Sequence, residues 1–283
     1  MFSPDLLKNR NILITGGATG LGRSMAFKFG SLGASIGIMS RNEQRLTATV
    51  DDLKKAGIEA TYHVADVRNP DEIHSAVDAM EKESGEFNTL VNNAAGNFIS
   101  PVEYLSPNAV DSILNIVLHG TFYCTLDLGK RWIERKNGGT VLNIVTTYAT
   151  TGSAYVAPSA AAKGGVLALT KSLASEWAKY GIRHVAIAPG AFPTEGAWSR
   201  LAPTKELSDR MLERIPFKRF GTHDELTDLA AFLISDGASF INGEAVVIDG
   251  GEAISNASQF GFLSSLSEED WKSIRELTRK PKS

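Results

Sequence analysis

Asn11-Ile12-Leu13-Ile14-Thr15-Gly16-Gly17-Ala18-Thr19-Gly20-Leu21-Gly22 sets a short apolar run against a glycine-rich turn, and a helical pattern through Met25, Phe27 and Phe29 follows at once. The run has strand length, so the order is strand, glycine turn, helix. Glycines let a backbone approach a pyrophosphate closely, and a helix N-terminus points free N–H groups and positive dipole at it. A glycine motif alone occurs in many structural turns. Here the strand before it and the helix after it point to a bound dinucleotide, with Gly16, Thr19, Gly20, Leu21 and Gly22 as the expected phosphate contacts.

Downstream the same alternation repeats. A second strand, Ser35 to Met39, ends in Ser40-Arg41, where a dinucleotide fold reads the adenosine ribose. An acid there would bind a 2′-hydroxyl and repel a phosphate, whereas Arg41 suits the 2′-phosphate of NADPH. The plainer alternative is a solvated loop arginine. A helical pattern from Glu43 to Lys55 leads to a third strand, Glu59 to Val64, that runs into Asp66-Val67. After a helix from Asp71 to Glu83, a fourth strand, Phe87 to Val91, enters Asn92-Asn93-Ala94-Ala95-Gly96, a turn of small residues placed beside a cofactor ribose. Asn97 follows on the loop crossing the substrate side, and a turn role for it stays open. The pattern predicts an α/β domain with a parallel sheet of about seven strands covered on both faces.

Residues Ser106 to Arg135 read as one long helix, and Gly138-Gly139 turns the chain into a fifth strand, Val141 to Val145. That strand delivers Thr146, Thr147 and Tyr148 to the carboxyl edge of the sheet, where open α/β sheets bind ligands. A helix beginning near Pro158 and running to about Tyr180 carries Ser159 and Lys163, four apart and so on one face. The sixth strand, Arg183 to Ala188, ends in Pro189-Gly190-Ala191-Phe192-Pro193-Thr194, and Thr194 is placed to contact a nicotinamide amide. Residues 195–220 mix Trp198, Met211 and Phe217 with six basic residues, as expected of a lid over a phosphate-bearing substrate; interleaved acids suit a solvated surface equally. A helix from Asp224 to Ile234 and a strand from Ala245 to Ile248 close one domain, residues 1–254. Residues 255–283 form an extension with a possible short helix at Glu268 to Thr278.

With 43% hydrophobic and 22% charged residues and a net charge of −3, the 283 residues form an ordinary core and give no electrostatic case for nucleic acid or an anionic membrane. The single cysteine, Cys124, excludes an internal disulfide and reads as a packed hydrophobe. The five histidines have no metal-ligand spacing, so no metal is expected. No apolar run stands out as a membrane span, and membrane insertion is not expected. A strand about ten residues from Met1 leaves no room for a presequence, and Lys280-Pro281-Lys282-Ser283 is not a peroxisomal signal. The cytoplasm is the expected compartment, and a trimmed mitochondrial matrix chain would look the same.

Thr15 to Gly22, Asn92 to Gly96, Ser159 to Lys163 and Pro189-Gly190 together resemble the short-chain dehydrogenase/reductase superfamily, with its Rossmann-type doubly wound sheet, across about residues 8–251. Asn92 to Pro101, Tyr148 through Lys163, and Gly196-Ala197-Trp198-Ser199-Arg200-Leu201 resemble more narrowly its mitochondrial-type 2,4-dienoyl-CoA reductases. These also place Ser where the superfamily's catalytic Tyr stands, as Ser159 does here. The resemblance implies that Tyr148 and Asn97 donate to a thioester oxygen, that Lys163 holds the nicotinamide ribose beside Ser159, and that Asp66 touches adenine. It sets Thr146 at the position of the common catalytic Ser and Val117 at that of the helix Asn. Where the family carries lysines around the Thr194 turn, this chain has Pro193 and Glu195.

The chemistry fits the displaced phenol. In a ketone the carbon that takes hydride bears the oxygen that takes the proton; in a 2,4-dienoyl thioester hydride goes to C5 and charge develops on an oxygen four bonds away. The donor must move with the oxygen, and Tyr148 with Asn97 would then form an oxyanion hole. The resemblance thus implies an NADPH-dependent reductase that converts 2,4-dienoyl-CoA to 3-enoyl-CoA in the β-oxidation of unsaturated fatty acids. Two apolar helix faces imply a homo-oligomer, a tetramer in this superfamily. A reductase of another enoyl- or 3-ketoacyl thioester or carbonyl, and a non-catalytic NADP-binding oligomer, stay open. Tyr155, four residues before Ser159, is expected to pack.

Overall fold

A computed structural model describes residues 2–194, 196, 198, 202 and 204–279. Seven parallel strands form one sheet: β1 (Asn11–Thr15), β2 (Ser35–Ser40), β3 (Ala60–Val64), β4 (Thr89–Asn92), β5 (Gly139–Ile144), β6 (Ile182–Pro189) and β7 (Ala245–Ile248). Their order, β3-β2-β1-β4-β5-β6-β7, reverses between β1 and β4, so a crevice opens at the carboxyl ends of those two strands. The expected doubly wound sheet is present. Strand limits differ from the pattern by one or two residues, as at β4, where Phe87 is fully buried beside the strand and outside its ladder.

Helices α1 (Gly20–Ser31), α2 (Glu43–Lys55) and α9 (His223–Ile234) bury their apolar stripes in one core layer, α1 and α2 through Met25, Phe29, Leu46 and Leu53 on the β1–β3 side and α9 through Leu226 and Ile234 on the β5 and β6 side. α3 (Pro70–Ser84) and α5 (Gly120–Arg135) build the other layer around Ile73, Met80, Leu128 and Trp132. Side-chain caps fix several helix starts: Asn42 accepts from Arg45 N at 2.9 Å, and Thr222 and Glu225 form a reciprocal capping box at α9.

The helix expected over Ser106 to Arg135 is continuous but not uniform. α4 (Pro107–Leu114) passes into a π-helical turn, Asn115–His119, before α5. Ile113 and Trp132, both buried, would drift about 100° apart around a regular helix. One residue looped into the wide turn removes that drift and keeps Ile113, Val117, Cys124, Leu128 and Trp132 on one inward stripe. Joined in this way, Pro107–Arg135 is long and apolar enough to cross a bilayer, which the sequence pattern had not indicated.

The helix expected to run to Tyr180 ends earlier. α7 (Ala157–Glu176) stops at Trp177, whose ring fills the space above Gly129, and a single 3₁₀ turn, Ala178–Tyr180, follows. Beyond β7 the chain adds α10 (Glu252–Ala257), a 3₁₀ turn (Gly261–Ser265) and α11 (Glu268–Arg279). α11 fits the expected short helix, while Phe260 and Phe262 before it and Leu277 within it stay exposed.

Trp132 anchors the long helix. It is fully buried, its Nε1 donates to the Phe87 carbonyl at 2.6 Å, and Gly139 admits its ring against the start of β5. Trp132→Phe loses this bond and leaves a void, so unfolding by urea is expected to show a loss of about 2–4 kcal/mol with the slope unchanged.

Candidate active site

The crevice between β1 and β4 is closed from below by Thr15. Its Oγ1 accepts from the backbone N–H of Asn93 at 3.1 Å and of Ala94 at 3.0 Å, and donates to Val91 O at 3.4 Å. Asn93 spends its side chain on the same junction, donating Nδ2 to Thr15 O and Gly16 O. Asn93 and Ala94, expected beside a ribose, therefore also clamp the glycine turn in place. In the sequence Thr15 is marked only as a hydroxyl ending an apolar run, which does not reveal this role.

Above this clamp the turn is shaped for a close ligand. Gly16 and Gly20 have φ of +64° and +52°, and a Cβ on Gly22 would sit 2.5 Å from both Gly16 O and Asn93 Nδ2. Thr19, the residue capping α1, makes no side-chain cap bond, and the first turn of α1 holds no acid. A helix start with free N–H groups, no competing carboxylate and an open backbone fits a dinucleotide pyrophosphate. Leu21 lies in the same first turn.

At the end of β2 Ser40 is half-buried and Arg41 is exposed. Asp66 does not stand open toward an adenine: Arg68 holds its two oxygens with Nε, 2.9 Å from each, and the Arg68 backbone N–H donates at 3.0 Å. That side-chain bond, with the charges of Arg68 and Arg41, keeps the Asp66 carboxyl below its usual range. Val67 is buried and packs where Gly120 leaves room, so its side chain is part of the core.

β5 delivers the reacting side. Its end leads into the short helix α6 (Tyr148–Thr151), and α7 lies alongside. α7 is pinned to β5 at two places two turns apart. Lys163 Nζ donates to the carbonyl of Ile144, and Asn143 Nδ2 donates to Thr170 Oγ1 at 2.8 Å. Asn92 extends the buried chain, donating to Asn143 Oδ1 at 2.9 Å. Ser159, one turn before Lys163, is thereby held 3.2 Å from the phenol oxygen of Tyr148.

Asn97 completes the group. Its Oδ1 accepts from the Phe98 N–H at 2.9 Å, which can only donate, so the amide is oriented with Nδ2 toward Tyr148 OH, 3.2 Å away. The Asn97 contact lies at the long end of the N–H···O range and the Ser159 contact is longer than the usual O–H···O distance. Asn97, Tyr148 and Ser159, read from three separate stretches, converge on one point. The Thr146 side chain is not in this chain of bonds; its carbonyl accepts from Ala149 N.

Tyr155, expected to pack, is 60% exposed with φ +65°, because its carbonyl is turned to accept from Ser100 N at 2.9 Å and tie the two site loops together. On the far side of the cleft Gly190 N–H donates to Ile248 O, and Pro189 ends β6. Thr194 lies against Gly20.

The expected lid is only partly within the described residues: 195, 197, 199, 200, 201 and 203 lie outside them, including Glu195 and Arg200. Trp198 stacks edge-on against Phe220 at 4.7 Å, and α8 (Lys205–Glu213) follows. Of the basic residues, Lys205 pairs with Asp209 at 2.7 Å, Arg214 with Glu252 at 3.7 Å, and Arg219 with Glu225 at 2.6 Å. The segment therefore presents fewer open cations to a phosphate than its composition indicates.

A family model described as enoyl-(acyl carrier protein) reductase matches residues 16–252. The chain belongs to the short-chain dehydrogenase/reductase family and is an oxidoreductase of that fold. It is 44% identical over 283 residues to an uncharacterised oxidoreductase of Caenorhabditis elegans, covering 98% of this chain and 90% of that one. A probable 2,4-dienoyl-CoA reductase of the same organism, named as producing (3E)-enoyl-CoA, is 41% identical over 96% of this chain and 90% of its own. Among solved structures, a gluconate 5-dehydrogenase from Burkholderia cenocepacia J2315, in complex with NADP and tartrate, superposes with a TM-score of 0.84 at 32% identity, covering 89% of this chain and 98% of that one.

Lys163 is buried, and among the described residues no acid pairs with it. Burial lowers its ammonium pKa to about 8. The unfolded chain keeps this proton to about pH 10.5, so between the two values the unfolded state binds more protons and stability rises with pH. Urea midpoints of the cofactor-free protein are expected to climb from pH 8 toward pH 10 relative to Lys163→Met, and a parallel pair of profiles would show the ammonium to be solvated.

Proposed function

We propose that the protein is an NADPH-dependent reductase of 2,4-dienoyl-CoA thioesters that yields the 3-enoyl-CoA. One observation carries this reading: the phenol of Tyr148 lies 3.2 Å from both Asn97 Nδ2 and Ser159 Oγ, while the helix position one turn before Lys163 holds only a serine. An aliphatic hydroxyl is no acid near neutrality, so Ser159 cannot protonate a carbonyl oxygen next to the hydride acceptor. The phenol has moved, and a conjugated thioester is the substrate class in which the oxygen has moved as well. The name of the C. elegans relative supports the same class.

Bound NADPH would supply the hydride, delivered to C5 of the dienoyl chain. Gly16, Thr19, Gly20, Leu21 and Gly22 would hold its phosphates, Ser40 and Arg41 its 2′-phosphate, Lys163 the nicotinamide ribose, and Thr194 the carboxamide. Asn93, Ala94, Pro189 and Gly190 would border it, and Asp66 and Val67 would do so through their backbone, since the Asp66 carboxylate is held by Arg68 and the Val67 side chain packs in the core.

As charge spreads to the thioester oxygen, Tyr148 and the second N–H of Asn97 donate to it. Ser159 then turns its own proton to the phenol oxygen, so each donor in the chain is reinforced by the one behind it. Thr146, two residues before the phenol, is given no proton-donating role in this reading. A proton delivered to C2 by water completes the 3-enoyl product.

The assembled form in this reading is a homotetramer, with the outward sides of Pro107–Arg135 and Ala157–Glu176, exposed Phe122 among them, as contact surfaces. A second reading, reduction of another thioester or carbonyl, is favoured by the acid partners of Lys205, Arg214 and Arg219, which leave CoA phosphates fewer cations.

NADPH oxidation with 2,4-hexadienoyl-CoA separates the two. Turnover specific to the dienoyl thioester and to NADPH over NADH is expected, and turnover on a 3-ketoacyl-CoA alone would establish the second reading. Tyr148→Phe should lower kcat by about 10²–10³ if the phenol stabilises the developing charge; an unchanged rate would remove Tyr148 from the mechanism.

A further inference from the structure

The turn bearing Thr194 is tied down by backbone bonds from Gly221 N to Ala191 O at 3.1 Å and from Trp198 N to Thr194 O at 2.9 Å. A side chain makes one more tie. His223, the first residue of α9, places Nε2 2.9 Å from the carbonyl oxygen of Pro193 and Nδ1 2.7 Å from Oγ of Ser24, one turn into α1. A carbonyl only accepts, so Nε2 carries the proton; in the neutral ring Nδ1 then accepts the Ser24 hydroxyl proton at 2.7 Å, in preference to the Gly20 carbonyl 3.2 Å from the same oxygen.

The imidazole therefore bridges two parts of the cleft. On one side is the helix whose N-terminus forms the glycine turn. On the other is the residue before Thr194, whose side chain would be 3.3 Å from a Cβ on Gly20. The platform beneath is rigid, since Thr222 and Glu225 cap α9 reciprocally and Arg219 grips Glu225 at 2.6 and 2.9 Å. His223 also borders an open groove of about 450 Å³ outside α1. The cations in that groove, Arg23 and Lys28, are already paired with Asp52 and Asp228. Among the described residues the ring's Nε2 partner is the Pro193 carbonyl.

We propose that His223 is a positioning residue for the dinucleotide: by joining Pro193 to Ser24 it fixes the separation between the glycine turn and Thr194. Both ends of the cofactor are then met by groups already in place, and less ordering is left to the binding step. This rests on the reading that the chain binds a nicotinamide dinucleotide and is independent of the thioester substrate.

The test is calorimetric titration of NADPH into the full chain, wild type and with His223→Ala, His223→Gln or Ser24→Ala, with long-range ¹H–¹⁵N spectra of the imidazole. His223→Ala should weaken NADPH binding by about tenfold, His223→Gln should restore most of it by donating to Pro193, and Ser24→Ala should cost about two- to threefold. KM for NADPH should follow the same order while kcat at saturation changes little, and the wild-type ring should show the Nε2–H form. Equal affinity of His223→Ala and wild type, failure of Gln to improve on Ala, or an Nδ1–H ring would each overturn the proposal. If His223→Ala does not fold, Gln and Ser24→Ala carry the same comparison. A wild-type protein that binds no NADPH would overturn the cofactor reading itself, a different result from binding that ignores His223.

Discussion

One hydroxyl closes the place where the sheet changes direction. Thr15 Oγ1 accepts two successive N–H groups from the chain leaving β4, and so joins the carboxyl ends of strands that are distant in sequence. An open parallel sheet leaves backbone groups unpaired at this edge, and burying them without partners would cost more than a typical bond returns. Satisfied in this way, the two ends stand at fixed spacing. The glycine turn sits on one and the Asn97 loop departs from the other, so the cofactor side and the substrate side share a single reference point.

A second constraint orients α7. Lys163 and Thr170, seven residues apart, both bond to consecutive residues of β5, one through a main-chain carbonyl and one through a side-chain amide. Two fixed points on a helix set both its translation and its rotation. Ser159 needs no further anchoring to lie beside Tyr148, and its burial follows from the same geometry. The cost is a cation in a dry place, visible in the lowered pKa of Lys163.

The fold was legible because each strand is a short apolar run bounded by glycine or polar turns, and because Asn11 to Gly22 joins strand, turn and helix without interruption. The pairing of Tyr148 with Ser159 was legible through the displaced tyrosine, a local anomaly against a strong pattern, whereas Asn97 stood out only through the family resemblance. What sequence withheld were partners. Nothing near Asp66 in the pattern says that Arg68 takes its carboxylate, and nothing near Lys205, Arg214 or Arg219 shows which acids neutralise them. His223 bonds across 30 residues to Pro193 and 199 to Ser24, and no periodicity encodes such a pair. Tyr155 escaped for a related reason: its exposure follows from a positive φ set by a hydrogen bond to another loop.

The π turn at Asn115–His119 bears on how this chain can change in length. Elsewhere in Pro107–Arg135 a gained or lost residue would swing every later side chain by about 100°, carrying the Trp132 indole away from Phe87. Inside the wide turn, a lost residue converts it to an ordinary helical turn, and the misphasing can be absorbed there one residue at a time. The defect thus works as a joint where length is negotiable, close to the cleft, while the register of the core beyond it is kept.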